Sequence, residues 1–319
     1  MNNNESKDYL LLDKIKDINF TPIFILGLHR SGTSILYKML GETGKINILT
    51  AYHILKYDNL IYNHINNLEE KVKEELNKEL KIKGITTRKT DNIAVNSDYA
   101  HEYMYIFTKK NLPLKITNKN KLLFDQICRK LKFISKNNNA IILKNPHDLS
   151  NFLYIKKLYP NAKFIFIHRN PIDVISSLTR LWKTYLEEKS AYYDIFIKSY
   201  SKIFQNPLLL SLLRLYYNSK IPMGIFQNIF SCRKNLNYFL KNIDKLTKDS
   251  YISIKYEDLC RNPNNTMSQV LKFLEVKTNI DFSKQIKPRN LKIEPKVLFL
   301  KKYIFKKTKS YFIQFNYKI

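Results

Sequence analysis

Cysteine is scarce in this sequence, and so are long apolar runs. The three cysteines, Cys128, Cys232 and Cys260, are odd in number and form no C-x-x-C pair. A disulfide-rich secreted scaffold and a cysteine metal site are therefore not expected, and the thiols favour a reducing, cytoplasmic compartment. No apolar run approaches the roughly 18 residues of a membrane span. Residues 1–7 are polar and no signal-peptide core follows them.

Acidic residues are also few. Lys and Arg number 55 against 27 Asp and Glu, so the formal net charge is +28. Such a surface attracts polyanions such as nucleotides, nucleic acid and acidic lipid. However, the lysines are spread along the whole chain. The chain is rich in Lys, Asn, Ile and Tyr throughout, and this general composition is enough to produce the positive charge. Charge alone therefore does not predict specific binding of nucleic acid.

A glycine-bounded loop organises the rest of the chain. Residues 23–26 form an apolar run that predicts a short buried strand, and Gly27 and Gly32 enclose the loop that follows it. A strand, a tight loop and a helix wrap backbone N–H groups around a phosphate. The spacing is nearly that of a Walker A motif, but Thr33 stands where its lysine should be. Arg30, inside the loop, is the replacement cation.

Apolar periodicity and turn residues predict the elements after this loop. The predicted strands are 140–143, 163–167 and 251–255, and the predicted helices are 58–81, 119–135, 149–159, 171–182 and 265–274. Together they indicate an α/β fold with a P-loop NTPase-like parallel sheet flanked by helices. Residues 1–319 are predicted to form one domain. Its polar lead-in is 1–20, and mostly helical acceptor-side insertions at 51–139 and 186–248 form a lid.

Three predicted strands end in groups that can bind an anion. They are the loop containing Arg30, the strand that ends at Lys144, and the strand that runs into Arg169. In an open parallel sheet, ligands lie outside the carboxyl ends of the strands. Three cations at that one edge predict a ligand with several negative charges.

At these residues the chain resembles the sulfotransferase superfamily, whose sulfuryl donor is 3′-phosphoadenosine 5′-phosphosulfate (PAPS). The segments that carry the resemblance are Gly27-Leu28-His29-Arg30-Ser31-Gly32-Thr33-Ser34, Lys144-Asn145-Pro146, Phe164-Ile165-Phe166-Ile167-His168-Arg169-Asn170-Pro171 with Ser177, and Tyr256-Glu257-Asp258-Leu259. They occur in the family's order between about residues 22 and 275. The arginine in the loop is more like the bacterial and Golgi branches than the small-molecule cytosolic branch.

The resemblance implies a role for each of these groups. The 5′-phosphosulfate would be held by Arg30, Ser31, Gly32, Thr33 and Ser34, and the 3′-phosphate by Arg169 and Ser177. Lys144 would stabilise the bridging oxygen, and Arg30 would also act in catalysis. The acceptor would be a hydroxyl of a carbohydrate, a lipid or another metabolite. No metal is expected, since these cations neutralise the transferring group.

The general base is the part that matches the family least well. Arginine-loop relatives place a glutamate downstream of the loop, where this chain has Ala51 with His53 two residues on. A histidine can act as a base at neutral pH, so His53 is the predicted catalytic base. His147 and the pair His101-Glu102 are the other candidates. Arg289 is a further residue that could close over the nucleotide.

Other interpretations stay open at this point. The loop is also compatible with a P-loop kinase or NTPase, or with a protein that binds nucleotides or polyanions without catalysis. Beyond residue 299 the tail alternates aromatic residues with lysines. That tail either lies on a membrane surface or packs as a helix, and the oligomeric state is undetermined.

Overall fold

A five-stranded parallel sheet forms the centre of the computed structural model, which describes residues 6–88, 93–135, 140–197, 199–218, 223–286 and 292–318. The strands are β1 (Pro22–Leu26), β2 (Ile46–Ile48), β3 (Thr87–Arg88), β4 (Ile93–Ala94), β5 (Ala140–Lys144), β6 (Lys163–His168) and β7 (Tyr251–Lys255). Their order in the sheet is β2-β5-β1-β6-β7, while β3 and β4 form a separate antiparallel pair.

Helices cover both faces of the sheet, which confirms the predicted α/β fold class. The helices are α1 (Thr33–Gly41), α2 (Ala51–Leu55), α3 (Leu60–Ile65), α4 (Glu69–Ile82), α5 (Met104–Lys109), α6 (Lys121–Phe133), α7 (Phe152–Leu158), α8 (Pro171–Glu187), α9 (Ala191–Phe196), α10 (Tyr200–Gln205), α11 (Pro207–Asn218), α12 (Met223–Asn242), α13 (Tyr256–Arg261), α14 (Pro263–Phe273), α15 (Pro295–Phe299) and α16 (Lys301–Gln314). Among the described residues, none of these helices has the length and apolarity that crossing a bilayer requires.

Side-chain alternation along the strands builds the two cores. Ile23 and Ile25 of β1 belong to the cluster on one face of the sheet, and Phe24 and Leu26 belong to the larger cluster on the other. All five residues of β1 are buried. A strand that is apolar on both sides must lie in the middle of a sheet with both faces covered. The position of β1 between β5 and β6 therefore follows from its sequence.

The N-terminal half differs from its prediction in two places. The helix predicted over 58–81 is two helices, α3 and α4, and Asn67 between them has φ +54°. The lead-in 1–20 contains a 3-10 helix, Tyr9–Ile15. It also contains the buried Asp8, which forms an ion pair with Lys130 at 2.7 Å. A buried carboxylate that holds a distant lysine ties this segment to α6.

Within the predicted, mostly helical insertion 51–139, the segment 85–117 carries the β3–β4 pair and α5. It is joined to the end of β2 by a single antiparallel bridge between Thr50 and Ala100. The His101 N–H donates to the Leu49 carbonyl at 2.8 Å beside that bridge. These two contacts bring Glu102 to the carboxyl edge of the main sheet.

The C-terminal tail packs as a helix along one side, with Tyr311 and Phe312 of α16 buried. The Tyr311 hydroxyl lies 2.8 Å from Nδ1 of His168, at the end of β6, and the Phe315 ring stacks on that imidazole at 3.9 Å. The sequence leaves two alternatives for the tail, which either lies on a membrane surface or packs as a helix. Tyr311, Phe312 and Phe315 pack against the protein, whereas Phe299 is exposed.

Candidate functional site

The loop between β1 and α1 requires both of its glycines. A Cβ on Gly27 would lie 2.6 Å from the Ile167 carbonyl oxygen, so no larger residue fits against β6. Gly32 has φ +99°, and a Cβ there would lie 2.3 Å from the Tyr256 ring. The left-handed region and the close approach both favour glycine. The loop is thus pressed against the ends of β6 and β7.

Arg30, Arg169 and Ser177 meet at the mouth of this loop. Nε of Arg30 donates to the Ser177 hydroxyl at 3.0 Å, and a guanidinium N–H of Arg169 donates to the Arg30 carbonyl at 2.9 Å. Arg30 has φ +69°, which is uncommon for a residue with a Cβ. The resemblance assigns these side chains to two different phosphates, and the structure brings them into contact. The two proposed phosphate subsites therefore adjoin.

Some polar atoms of this loop region are buried without a hydrogen-bond partner. Among the described residues, none reaches Nε of Arg169 or the hydroxyl of Ser31. The Arg169 guanidinium lies 4.4 Å from the centre of the Tyr256 ring, so its position is fixed by stacking. Buried polar groups are normally satisfied. A guanidinium N–H held in place but unpaired is suited to an anionic ligand.

Lys144 ends β5 directly beside the loop and is only 2% exposed. Its Nζ donates to the Ser34 hydroxyl at 2.8 Å and forms an ion pair with Oε1 of Glu102 at 2.7 Å. The pairing of β5 with β1 explains this position. Lys144, the last residue of β5, lies opposite Ile25, which is one residue before the end of β1, and the loop begins directly after β1. A buried ammonium without such partners would be costly, so these two contacts stabilise Lys144 at this edge.

Glu102 is the acidic residue that joins this group. Burial would raise the pKa of its carboxyl, but the charges of Lys144 and His29 and the hydrogen bond from Lys144 outweigh burial and lower that pKa to about 2. Burial, with His147 next, lowers the pKa of His29 to about 3. The rings of His29 and His147 meet edge to face at 4.6 Å. At neutral pH the site thus holds an ionised carboxylate beside two neutral imidazoles.

A cleft of about 280 Å³ opens at the carboxyl edge of the sheet. Lys144 is not one of the described residues that line it, but its ammonium contacts two that do, Ser34 and Glu102. The lining of the cleft includes the predicted residues Arg30, Gly32, Thr33, Ser34, Arg169 and Ser177, together with His29, Glu102 and Tyr256. The two insertions add four apolar or aromatic side chains and one cation, namely Ile93, Met104, Tyr105, Tyr193 and Arg88, and Gln285 also lines the cleft. Among the described residues, no group of three or more His, Cys, Asp or Glu could hold a metal ion.

In the described part of the chain, Ser31, Lys144 and His53 are predicted site residues that do not line the cleft, and of these Lys144 contacts its lining through a hydrogen bond and an ion pair. His53 is the catalytic candidate that lies apart from it. Its Nδ1 accepts the Thr50 backbone N–H at 3.0 Å, so the ring takes part in a capping box at the start of α2. Burial, with a smaller contribution from the Lys73 charge, lowers the pKa of His53 to about 3. His53 is not among the described residues that line the cleft. Its geometry indicates a structural role in place of the predicted catalytic one.

Of the two members of the predicted pair His101-Glu102, one packs behind the cleft and the other faces it. His101 is buried against the Phe196 ring at 4.1 Å, and its Nε2 lies 3.2 Å from the Tyr192 hydroxyl, so it packs behind the cleft. Its neighbour Glu102 faces the cleft. Arg289 lies outside the described residues. The sequence pattern does not favour Glu102 over His53, because Glu102 is held at the sheet edge by long-range contacts such as the Thr50–Ala100 bridge and the His101–Leu49 hydrogen bond.

Comparison with known proteins agrees with this geometry. A family model described as "Sulfotransferase family" matches residues 22–206, more than half of the chain. That range contains the glycine loop, Lys144 and Arg169. A search of curated proteins found no match.

Solved structures show the same fold. Sulfotransferase STF9 from Mycobacterium avium is 13% identical with a TM-score of 0.65, covering 99% of this chain and 82% of its own. Sulfotransferase STF1 from Mycobacterium tuberculosis H37Rv is 14% identical with a TM-score of 0.56, covering 96% and 80%. The family match spans the strands and loop that build the cleft. The chain therefore belongs to the sulfotransferase family and is a sulfotransferase.

Proposed function

We propose that the protein transfers the sulfuryl group of PAPS to a hydroxyl acceptor in this cleft. The observation that carries the proposal is the convergence of Arg30, Lys144 and Arg169 on one edge of the sheet. The loop amides, Arg30 and the hydroxyls of Thr33 and Ser34 hold the 5′-phosphosulfate. Backbone N–H groups at the start of α1 add positive potential there.

The second phosphate distinguishes PAPS from ordinary nucleotides. Arg169 and Ser177 hold it, and the unpaired Nε of Arg169 supplies a charge-assisted hydrogen bond. Tyr256 keeps the Arg169 guanidinium in place from the other side. Because Arg30 already donates to Ser177, the two phosphates would be bound next to each other.

In the transfer step, the bond between sulfur and the bridging oxygen breaks as the bond from the acceptor oxygen to sulfur forms. Lys144 stabilises the negative charge that develops on the leaving phosphate. The acceptor hydroxyl gives its proton to the Glu102 carboxylate, which takes the role first assigned to His53. When the Lys144 ammonium turns from Glu102 towards the donor, the pKa of that carboxyl rises and it becomes a better base.

The lining of the cleft favours an apolar acceptor. Met104, Tyr105, Ile93 and Tyr193 present hydrocarbon and aromatic surface to the cleft that Glu102 also lines. A cleft that recognised a free sugar would present several polar side chains to its hydroxyls. We therefore propose an acceptor hydroxyl on an apolar or aromatic compound, ahead of a carbohydrate.

The test is transfer of label from sulfur-labelled PAPS to a panel containing a phenol, a long-chain alcohol and a hexose, with chelator present. We expect labelled phenol or alcohol to form. Transfer from γ-labelled ATP that requires magnesium, with none from PAPS, would contradict the proposal and revive the kinase interpretation.

The base assignment is tested by Glu102→Gln with His53→Gln as the matched control. Glutamine at position 102 keeps the shape and a contact to Lys144 but cannot accept the proton, so kcat should fall about 10²- to 10⁴-fold. Glutamine at position 53 retains a side-chain acceptor for the capping box, so kcat should not change. Single-turnover rates and calorimetric affinity for 3′-phosphoadenosine 5′-phosphate (PAP) separate chemistry from donor binding. A slow His53→Gln enzyme beside a normal Glu102→Gln enzyme would return the base role to His53.

A further inference from the structure

Two long segments of the chain contain no acidic residue. Residues 195–243 and 295–319 hold no Asp or Glu, yet each contains seven Lys and Arg. All 27 acidic residues lie elsewhere in the chain. The described parts of these segments form α10 to α12 and α15 to α16. Their local charge is therefore strongly positive, without any carboxylate of their own to offset it.

The same helices carry most of the exposed apolar side chains that the structure describes. Twelve of the 18 large hydrophobic residues that are exposed lie on them: Leu208, Leu209, Leu212, Leu215, Tyr216, Met223, Phe226, Phe230, Leu298, Phe299, Tyr303 and Ile313. Phe299 is 88% exposed, Leu208 71% and Phe230 66%. We call these twelve residues the apolar face. A concentration of this kind marks an interaction surface.

Contacts between the helices join the apolar face into one region. The Tyr217 hydroxyl of α11 donates to the Gln227 side chain of α12 at 3.3 Å, and a Cβ on Gly224 would lie 2.2 Å from the Tyr217 ring. The Phe226 and Tyr303 rings join α12 to α16 at 6.1 Å. On α11, Leu208, Leu212 and Leu215 follow helical spacing and share one side.

We propose that the apolar face docks on the surface of an anionic lipid bilayer. Apolar side chains among lysines are the chemistry of a segment that lies in the membrane interface, where hydrocarbon burial and attraction to acidic headgroups add together. The exposed Lys302 and Lys306 of α16 would contact the headgroups. A second copy of the chain is the less favourable occupant, because it would bring the same excess of positive charge against this face.

Co-sedimentation of the full chain with phosphatidylserine-containing and pure phosphatidylcholine vesicles tests this proposal. We expect binding to the anionic vesicles only, weakened by added salt. The triple variant Leu208→Ser, Phe230→Ser, Phe299→Ser removes one exposed side chain from each of α11, α12 and α15, and it should lower partitioning more than about tenfold. The matched control Leu10→Ser, Ile82→Ser, Leu122→Ser changes equally exposed side chains elsewhere, and it should bind like the unmodified protein.

A second pair of variants tests how much the lysine charges contribute to vesicle binding. Lys302→Gln, Lys306→Gln should weaken binding to anionic vesicles, whereas Lys71→Gln, Lys78→Gln on α4 should not. PAP affinity should be the same in every variant, which separates this result from a failure of the proposed function. Equal binding to both vesicle types, no binding to either, or a dimer in sedimentation that the triple variant abolishes would each overturn the proposal.

Discussion

Replacing Lys144 by methionine is expected to lower kcat for sulfuryl transfer by about three orders of magnitude while PAP still binds. The ammonium lies 2.8 Å from the Ser34 hydroxyl in the proposed 5′-phosphosulfate site, so it is placed to stabilise charge on the leaving phosphate. Charge that develops only in the transition state affects kcat more than ground-state binding. Single-turnover rates with labelled PAPS and calorimetry with PAP measure the two effects separately.

The control for this prediction is the second buried lysine, Lys130. It forms an ion pair with Asp8 at 2.7 Å, the same distance as the pair between Lys144 and Glu102, but away from the cleft. Removing either lysine leaves a carboxylate without its counter-ion, which should cost up to about 3–5 kcal/mol of stability. Asp8 keeps the hydrogen bonds from two backbone N–H groups of α3, and Glu102 faces the cleft. Urea unfolding should therefore be similar for the two variants, and only Lys144→Met should lose transfer. Equal kcat in the two variants, measured per folded molecule, would contradict the role of Lys144.

Removing the loop cation is expected to have a comparable effect on kcat/KM for PAPS. Asparagine is the most informative replacement for Arg30, because it tolerates the left-handed backbone at φ +69° while removing the charge. Loss of a charged donor to a transferring group should cost about a thousandfold, and Arg30→Lys should recover part of that loss.

Backbone strain is separated from charge by Arg30→Gly, which relaxes the left-handed conformation and also removes the side chain. If the charge matters, Arg30→Gly and Arg30→Asn should be equally inactive, as measured by initial rates at varied PAPS. Turnover near that of the unmodified enzyme in both variants would show that the loop amides alone hold the 5′-phosphosulfate.

The sheet and its cations could be predicted from the sequence because they depend on local patterns. Apolar runs ending at Lys144 and at Arg169 identify β5 and β6, and parallel strands place their carboxyl ends at one edge. The glycine loop could be predicted because Gly27 follows directly on the apolar run of β1 and Gly32 ends the loop. In each case a few residues adjacent in sequence mark the element, and the structure adds that close approach to β6 and α13 admits no Cβ on the two glycines.

The position of Glu102, the proposed base, could not be predicted in this way, because it depends on contacts between distant segments. The Thr50–Ala100 bridge and the hydrogen bond from the His101 N–H to the Leu49 carbonyl hold the segment before Glu102 at the sheet edge, and no periodicity in the sequence marks them. His53 lies close to the loop along the chain, but its ring is engaged in a helix cap. Distance along the sequence favoured His53, whereas the folded chain pairs Lys144 with Glu102 at the cleft, and this pair is the reason that we propose Glu102 as the base.

The central claim is that this cleft recognises the 3′-phosphate of PAPS, and calorimetric titration of the unmodified protein with PAP and with AMP tests it most directly. The two ligands differ only in that phosphate, and the measurement needs no knowledge of the acceptor. A charged phosphate held by Arg169 and Ser177 should make PAP bind about a hundredfold more tightly. Arg169→Met should remove most of that difference. Equal affinity of the unmodified protein for PAP and AMP would contradict the account.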